Sequence, residues 1–429
     1  MPGNSYFLDE LDYLREMRRR AAREHWDMAR FLAAEGSDPD VERLFEGFAF
    51  LTGRLREKLD DEFPEIIHSL LGMWWPHYLR PLPAMAILRF DPVVNAFSDS
   101  RIVTAGTEIQ SKRVDDSRCL FRTAHDVVLH PLTLEEVRLD EQRGHASLEV
   151  SFAIWPNATF SETQRGLRLY LNDQLERASD LYRFLLAHTR GIEAVMLSNG
   201  TEIASVHVPA SAIRASESGT ILPDTGRVGR GYLALQEYFC FPEQQMFVDV
   251  MSFDRIANAA MENDADGIKL KFDFDRPLDF SGLREASAVD INCVPIVNIF
   301  YGTARPIALK DNRNEYALVV ESTAGMRCSL YSVDSCEGYI PGNNEAVVYH
   351  RFESFSHQND PSSRDYYRLR FAQSPQGGNR NPYLSFVKRN RRFRGESETV
   401  SINLTCTNAD LPRALDPGDI NVSTTSSPE

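Results

Sequence analysis

The chain has 429 residues, of which 42% are hydrophobic and 25% are charged, and its formal net charge is −15 at pH 7. This composition is that of a folded globular protein, and roughly 150 residues per domain would give about three domains. The negative net charge repels phosphate backbones, which argues against nucleic-acid binding as the main function.

The sequence also argues against membrane insertion, export and disulfide bonding. No stretch has the roughly 18 consecutive apolar residues of a membrane span, and the first residues alternate acidic with apolar side chains, unlike a signal peptide. The six cysteines are scattered and form no CxxC motif. This pattern predicts reduced, mostly buried thiols in a cytoplasmic protein, with a pairing of Cys328 and Cys336 as the alternative.

The first 83 residues predict helices. Apolar residues recur at steps of three and four from Phe7 to Leu32, which places them along one helical face. A second helix is predicted after Asp38, whose carboxylate suits the N-cap, with Pro39 at the first helical position.

Two adjacent tryptophans, Trp74 and Trp75, lie where a third, shorter helix is predicted to end. Pro64 is predicted to begin this helix, and Pro76 stops it. Successive helical residues point about 100° apart, so the two rings cannot both face one core. One ring is therefore predicted to be an anchor within the chain. The other is covered either by the first β-rich domain or by a partner protein, because tryptophan is frequent at interface centres.

From residue 84 the apolar spacing falls to two, which predicts strands. Helices interrupt them in "QLERASDLYRFLLAHT" and "GRGYLALQEYFCFPE", and an Asn-Gly turn at 199–200 predicts a hairpin. We therefore predict an α+β protein with a helical region at 1–83, a β-rich part with helical inserts at 84–285 and a further β-rich domain at 286–429.

No motif in the sequence predicts catalysis. None of the ten histidines forms an HExxH motif, and a proline between His68 and His77 prevents them from sharing a helix face as metal ligands. The glycines of "TGRVGRGYLAL" do not follow the order of a nucleotide-binding loop, and no GxSxG motif occurs. We therefore predict no enzyme activity, cofactor, metal or small-molecule substrate.

One segment, "KRNRRFR" from Lys388 to Arg394, is strongly basic although the chain as a whole is negatively charged. It lies between two strand-like segments and contains Phe393. A solvated hairpin tip is favoured, with an acidic protein partner and a nucleic acid as alternatives. If a protein binds here, Arg391, Arg392 and Arg394 are its predicted contacts.

Seven segments in chain order carry a family resemblance: "DPDVERLFEGFAFLTGRLREKLDDEFPE", "PHYLRPLP", "FRT", "EYFCFPEQQMFVDV", "NCVPIVNIF", "YSVDS" and "CTNADLP". From about Tyr6 to Pro412 the chain resembles the TssF family, also called VasA or ImpG, a baseplate subunit of type VI secretion systems in Gram-negative bacteria. None of the segments is a catalytic motif. Family members usually continue beyond the last segment, so the chain is expected to end before the family's C-terminal region.

The resemblance implies a structural function. TssF proteins assemble with TssG, a second TssF copy and the adaptor TssK into a wedge, wedges ring the VgrG hub, and the adaptor links them to the membrane complex. The wedge initiates tail sheath and tube assembly for contractile effector delivery. The fold is then expected to be similar to contractile-phage baseplate wedge proteins. The chain is expected to be cytoplasmic, docked at the cytoplasmic face of the inner membrane through the assembled baseplate. A carbohydrate-active or other hydrolytic enzyme is the alternative.

In such a subunit, function resides in interfaces, and large permanent interfaces are apolar like a divided core. We therefore predict partner contacts at Leu11, Leu14 and Met17 of the first helical face, and at Trp74 and Trp75.

Overall fold

The computed structural model describes residues 3–24, 39–142, 145–160, 166–217, 219–223, 230–277, 288–310, 313–321, 327–342, 345–352, 365–373, 380–388 and 398–423. The chain divides into two compact units, Met1–Leu79 and Arg80–Glu429.

In its described residues, the first unit contains a pair of packed helices. Helix α1 is Gly3–Glu24 and helix α2 is Pro39–Trp74. The helices come close at Gly53, where an added Cβ would lie 3.1 Å from the backbone nitrogen of Phe7. Ala49, one turn earlier on α2, is fully buried. Small residues on this face of α2 therefore allow the close approach of α1.

The prediction of a separate helix beginning at Pro64 is wrong. Helix α2 continues through this proline for a total of 36 residues. An internal proline costs about 3 kcal/mol, because it removes one helical hydrogen bond, yet the helix runs through it. The predicted end at Trp74 is confirmed, since a 3-10 turn follows at Pro76–Leu79. The proposed N-cap, Asp38, lies outside the described residues.

The second unit consists of strands with helical inserts, which confirms the α+β prediction. Its strands are β1 Met85–Arg89, β2 Arg101–Val103, β3 Glu108–Val114, β4 Ser117–Thr123, β5 Val127–Leu129, β6 Leu132–Gln142, β7 His145–Ile154, β8 Gly166–Leu171, β9 Thr189–Ser198, β10 Thr201–Pro209, β11 Ile213–Ala215, β12 Phe247–Met251, β13 Gly267–Phe274, β14 Val289–Asp290, β15 Cys293–Val297, β16 Phe300–Thr303, β17 Ile307–Ala308, β18 Tyr316–Ala317, β19 Ser329–Tyr339, β20 Val347–Arg351, β21 Asp365–Gln373, β22 Arg380–Val387, β23 Thr399–Thr407 and β24 Ile420–Ser423. Its helices are α3 Leu175–Ala187, α4 Arg230–Cys240 and α5 Phe253–Glu262.

Two sheets share the largest core of this unit. Their strand orders are β10-β9-β13-β7-β6 and β11-β12-β8-β14. Side chains from both sheets and from α3 and α5 form one buried apolar cluster, in which Phe152 and Phe272 have no exposed surface. The predicted hairpin is confirmed: β9 pairs antiparallel with β10, and Asn199 and Gly200 both have positive φ, as a type I′ turn requires.

The remaining sheets bring distant parts of the chain together. One has the order β1-β15-β4-β3-β24, another has the order β16-β23-β19-β20-β21-β22-β18 with β17 paired to β23, and β2 pairs with β5. The predicted boundary between residues 285 and 286 falls outside the described residues. Strands from both sides of that boundary pair in the first of these sheets, as β1 does with β15.

A buried polar cluster joins segments that are far apart in sequence. Asn298 and Asn408 are both fully buried. The Asn408 backbone N–H donates to Oδ1 of Asn298 at 2.7 Å, and Nδ2 of Asn298 donates to Oδ1 of Asn408 at 2.8 Å. The backbone of Leu120 donates to Asn408 and accepts from Asn298, at 2.9 and 2.6 Å. Nδ2 of Asn408 also donates to the carbonyl of Arg327 at 3.0 Å. Both asparagines lie in segments that carry the family resemblance.

His130 is buried where three segments meet. Its Nδ1 lies 2.9 Å from the hydroxyl of Ser100, its Nε2 lies 3.3 Å from the carbonyl of Gly166, and its ring packs on Phe253. Burial lowers the pKa of His130 from 6.5 to about 4. The neutral imidazole is therefore the form that fits the folded chain.

This burial predicts a loss of stability in acid. Between pH 6.5 and 4 the unfolded chain binds a proton at His130 that the folded chain does not. Above pH 6.5 His130 is neutral in both states and does not lower the free energy of unfolding. As the pH falls from 6.5 toward 4, protonation of the unfolded chain lowers the free energy of unfolding by about 3 kcal/mol. Urea unfolding across this pH range should show a weaker pH dependence for His130→Gln than for the wild-type chain. Parallel pH profiles would contradict the assignment to His130.

Candidate protein interface

Helix α2 carries an exposed apolar face. Leu44, Phe48, Leu51, Leu55 and Leu59 recur at steps of four, three, four and four residues, which places them along one side of the helix. Each is more than half exposed. We call these five residues the leucine face. At about 100° per residue it lies roughly a third of a turn from the Ala49 and Gly53 face that packs on α1.

Ion pairs hold α1 on the Ala49 and Gly53 side of α2. The carboxylate of Glu42 accepts hydrogen bonds from Arg15 at 2.8 Å and from Arg18 at 2.9 Å. The Arg15 hydrogen bond, with the charges of both guanidinium groups, lowers the pKa of Glu42 below its ordinary value. Arg56 of α2 donates to Glu10 of α1 at 2.9 Å. These contacts set the register of the two helices.

The three predicted contacts on α1 differ in their exposure. Leu11 is only 5% exposed and lies one turn after Phe7, on the side that packs against α2. It therefore has little surface left for a partner. Leu14 is half-buried, whereas Met17 is exposed. A partner role for Leu14 and Met17 stays a prediction.

Neither Trp74 nor Trp75 is the buried anchor that the sequence predicted. Their side chains are 67% and 45% exposed. The ion pairs and the Phe7–Gly53 contact show that α1 runs antiparallel to α2, so α2 extends past the start of α1 for about four turns. The tryptophans lie at the end of that extension, beyond the reach of α1, and their role as partner contacts stays a prediction.

The exposure of Trp74 leads to an expected result for the isolated chain. Trp74→Ala should change the free energy of unfolding by no more than about 1 kcal/mol, because little buried surface is lost. Trp155 is the matched control, since it is buried and its indole N–H donates to Thr133 at 2.8 Å. Trp155→Ala should cost about 3–5 kcal/mol. Equal destabilisation of the two variants in urea unfolding would show that Trp74 is covered within the chain.

In the structure, Lys388 is not part of an exposed basic cluster. Lys388 is buried and forms an ion pair with Glu398, which is also buried. The other oxygen of Glu398 accepts the hydroxyl of Tyr349 at 2.6 Å. Lys388 therefore joins the ends of β22 and β23 and is not the surface base that the sequence suggested. Arg391, Arg392 and Arg394 lie outside the described residues.

Two hollows of moderate size lie among the described residues. One of about 360 Å³ is lined by charged groups of both signs, including Asp140, Arg190, Lys271 and Asp273. The other, of about 470 Å³, lies beside the exposed ring of Tyr301. Within the described ranges, no three His, Cys, Asp or Glu side chains are grouped as metal ligands, and no helix is long and apolar enough to cross a membrane. All six cysteines lie in the described residues, and none of them forms a disulfide there.

Three comparisons relate the chain to known proteins. It matches the model of a family described as "Type VI secretion system, TssF" over residues 3–429. It is 29% identical to type VI secretion system component TssF1 of Pseudomonas aeruginosa over 448 aligned positions, which cover 95% of this chain and 71% of that protein.

Two solved structures are also similar. One is a TssK-TssF-TssG baseplate subcomplex determined by cryo-electron microscopy, with a TM-score of 0.69, 29% identity, and coverage of 87% of this chain and 69% of that chain. The other is a baseplate complex from the type VI secretion system, with a TM-score of 0.58, 25% identity, and coverage of 98% and 73%. With a family match over nearly its whole length, the chain belongs to the TssF family of type VI secretion system proteins.

Proposed function

We propose that this chain is a structural, non-enzymatic subunit of the type VI secretion baseplate wedge. In this proposal it assembles with TssG, a second TssF copy and TssK around the VgrG hub, and the wedge initiates sheath and tube assembly for contractile delivery. The wedge docks at the cytoplasmic face of the inner membrane through the assembled baseplate. The relatives are components of a secretion baseplate, so the hydrolytic alternative is not retained.

The observation that supports this proposal most directly is the leucine face of α2. Burial of one leucine side chain contributes about 1.5–3 kcal/mol, so five large apolar residues in water form a strong site for association. Exposed apolar residues continue along the helix at Ile67, Leu70 and Met73. A helix with such a face is expected to join helices of other chains in a bundle.

The choice of partners rests on the solved relatives, because a TssF relative forms a complex with TssK and TssG. The direct test is co-expression of the tagged chain with TssG and TssK from the same bacterium. A complex that withstands gel filtration and contains more than one copy of the chain is expected. Elution of the chain alone, as a stable monomer in the presence of both proteins, would refute the proposal.

A further inference from the structure

Helix α4 of the second unit has a glutamate on its buried side and aromatic residues on its exposed side. Within this helix the buried side chains are Leu233 and Glu237. Glu237 is only 1% exposed, and its two oxygens accept hydrogen bonds from the backbone of Leu222 at 2.8 Å and from Gln244 at 3.3 Å. Burial raises the pKa of this carboxyl group. A carboxyl group therefore occupies the side of α4 that faces the core.

The opposite side of α4 is aromatic and exposed. Tyr232, Leu235, Tyr238 and Phe239 are each more than half exposed, and Phe239 reaches 77%. The first, second and fourth of them follow helical spacing, and the rings of Tyr238 and Phe239 pack edge to face with centroids 5.5 Å apart. We call these four residues the α4 face.

This arrangement is unfavourable for a chain that functions alone in water. Burying a carboxyl group costs free energy even when it is hydrogen-bonded, whereas burying a large aromatic side chain is strongly favourable. Leu233 already gives the core side of α4 one apolar contact. The larger apolar area of the helix nevertheless lies outside, where it contributes nothing to the stability of the isolated fold.

The α4 face is also held in place before any partner binds. The carbonyl of Glu237 accepts the backbone N–H of Phe241 at 2.7 Å, and Phe241 is buried against Ile221, Val297 and Tyr331. The Glu237 side chain fixes the helix to residue 222 from the same side. Because these contacts already order the helix, a partner would lose little conformational entropy on docking here.

We infer that the α4 face is a docking surface for an uncharged, apolar surface on a different protein chain of the baseplate. This inference rests on the proposed function and adds a second contact region to the leucine face of α2. Tyrosine and phenylalanine are suited to the role, since they combine a large rigid contact area with, for tyrosine, a hydroxyl group at the rim.

The chemistry of the α4 face decides between possible occupants. Glu237 is the only charged residue between positions 231 and 240, and it is buried. The face therefore offers no charge to an acidic or basic peptide, and it lacks the basic residues by which surface helices bind anionic membranes.

The size of the α4 face argues against self-association through it. Three aromatic side chains of about 150–250 Å² each and one leucine, all more than half exposed, offer about 400–500 Å². A stable interface needs about 800 Å² per partner. Two copies paired through this face alone would thus fall short, so the α4 face is expected to add area to a contact made elsewhere on the chain.

The test compares Phe239→Asp with wild type in the full chain co-purified with TssG and TssK. Leu175→Asp, at an exposed apolar position at the start of α3, is the matched control. We expect Phe239→Asp to melt at the same temperature as wild type, and to bind the TssG–TssK pair at least tenfold more weakly. The control should bind as wild type does. Phe239→Ser, which removes the ring without adding charge, should show the same direction of change.

The other outcomes show whether the α4 inference, the proposed function or both are wrong. Unchanged binding by both Phe239 variants, with wild type binding normally, would overturn the α4 inference and leave the proposed function intact. Loss of a dimer of the chain alone in Phe239→Asp would identify a second copy as the occupant instead. Sedimentation of wild type, but not of the variant, with phosphatidylglycerol vesicles would identify a membrane. Failure of wild type to bind TssG and TssK would refute the proposed function, and with it this inference.

Discussion

Replacing Leu51 and Leu55 of α2 together by aspartate is expected to release TssG and the second TssF copy from the chain. Both leucines lie in the middle of the leucine face and are more than half exposed. The substitution removes about 3–6 kcal/mol of apolar burial from the assembled state and places unpaired charges in an apolar contact. Binding should weaken by more than a thousandfold, measured by co-purification and by titration of the purified proteins.

The isolated double variant should stay folded, because the exposed leucines contribute little to its own core. Its circular dichroism spectrum and melting temperature should match those of wild type. Arg54→Asp is the control, since it introduces the same side chain at an exposed position of α2 away from the leucine face. Equal loss of binding in Arg54→Asp would indicate a general effect of charge on α2, and retained binding in the double variant would rule out the leucine face as the contact.

Loss of the Asn298–Asn408 cluster is expected to have a large effect on the stability of the second unit. Asn408→Ala should lower the free energy of unfolding by about 3–5 kcal/mol. The substitution leaves the buried backbone N–H of Leu120, one N–H of the Asn298 side chain and the carbonyl of Arg327 without their Asn408 partner, and each such group costs about 1–3 kcal/mol. Urea unfolding followed by circular dichroism measures the change.

Asn403→Ala is the comparison for this measurement. Asn403 lies on β23, the strand that ends just before Asn408, but it is exposed and donates to Ser335 at 2.8 Å. Its removal should cost no more than about 0.5 kcal/mol. The Asn298→Ala, Asn408→Ala double variant should cost less than the two single changes added together, because both act on one network. Strict additivity would mean that the two side chains contribute independently.

Local sequence patterns predicted most of the helices and the strand-rich character of the second unit. Helices α3 and α4 and the Asn-Gly hairpin were found from period, composition and turn residues. Helix α5 was missed, although Phe253, Ile256, Ala257 and Ala260 are all buried and follow a helical spacing. At ten residues it is short, and its polar surroundings resemble a loop. Pro64 does not end α2, so a single internal proline is not a sufficient signal for a helix boundary here.

The candidate interface was only partly predictable. The helical periodicity of α2 predicts an apolar face. It does not predict which element of the chain, or which partner, packs against that face. Within α2 the small residues Ala49 and Gly53 receive α1, and the larger leucines stay outside. The same limit applies to α4, whose aromatic residues would be assigned to a core by composition alone.

The sequence by itself determined the family, the order of helical and β-rich parts, and the absence of recognisable catalytic motifs. Each of these depends on residues close together in the chain or on the order of short segments along it. Only the tertiary structure decided that β1 pairs with β15, that Lys388 is neutralised by Glu398, and that Asn298 and Asn408 close one hydrogen-bonded cluster. It also decided which apolar faces are covered and which remain open. Burial and hydrogen bonding depend on residues brought together across tens to hundreds of positions, and no local period encodes those partners.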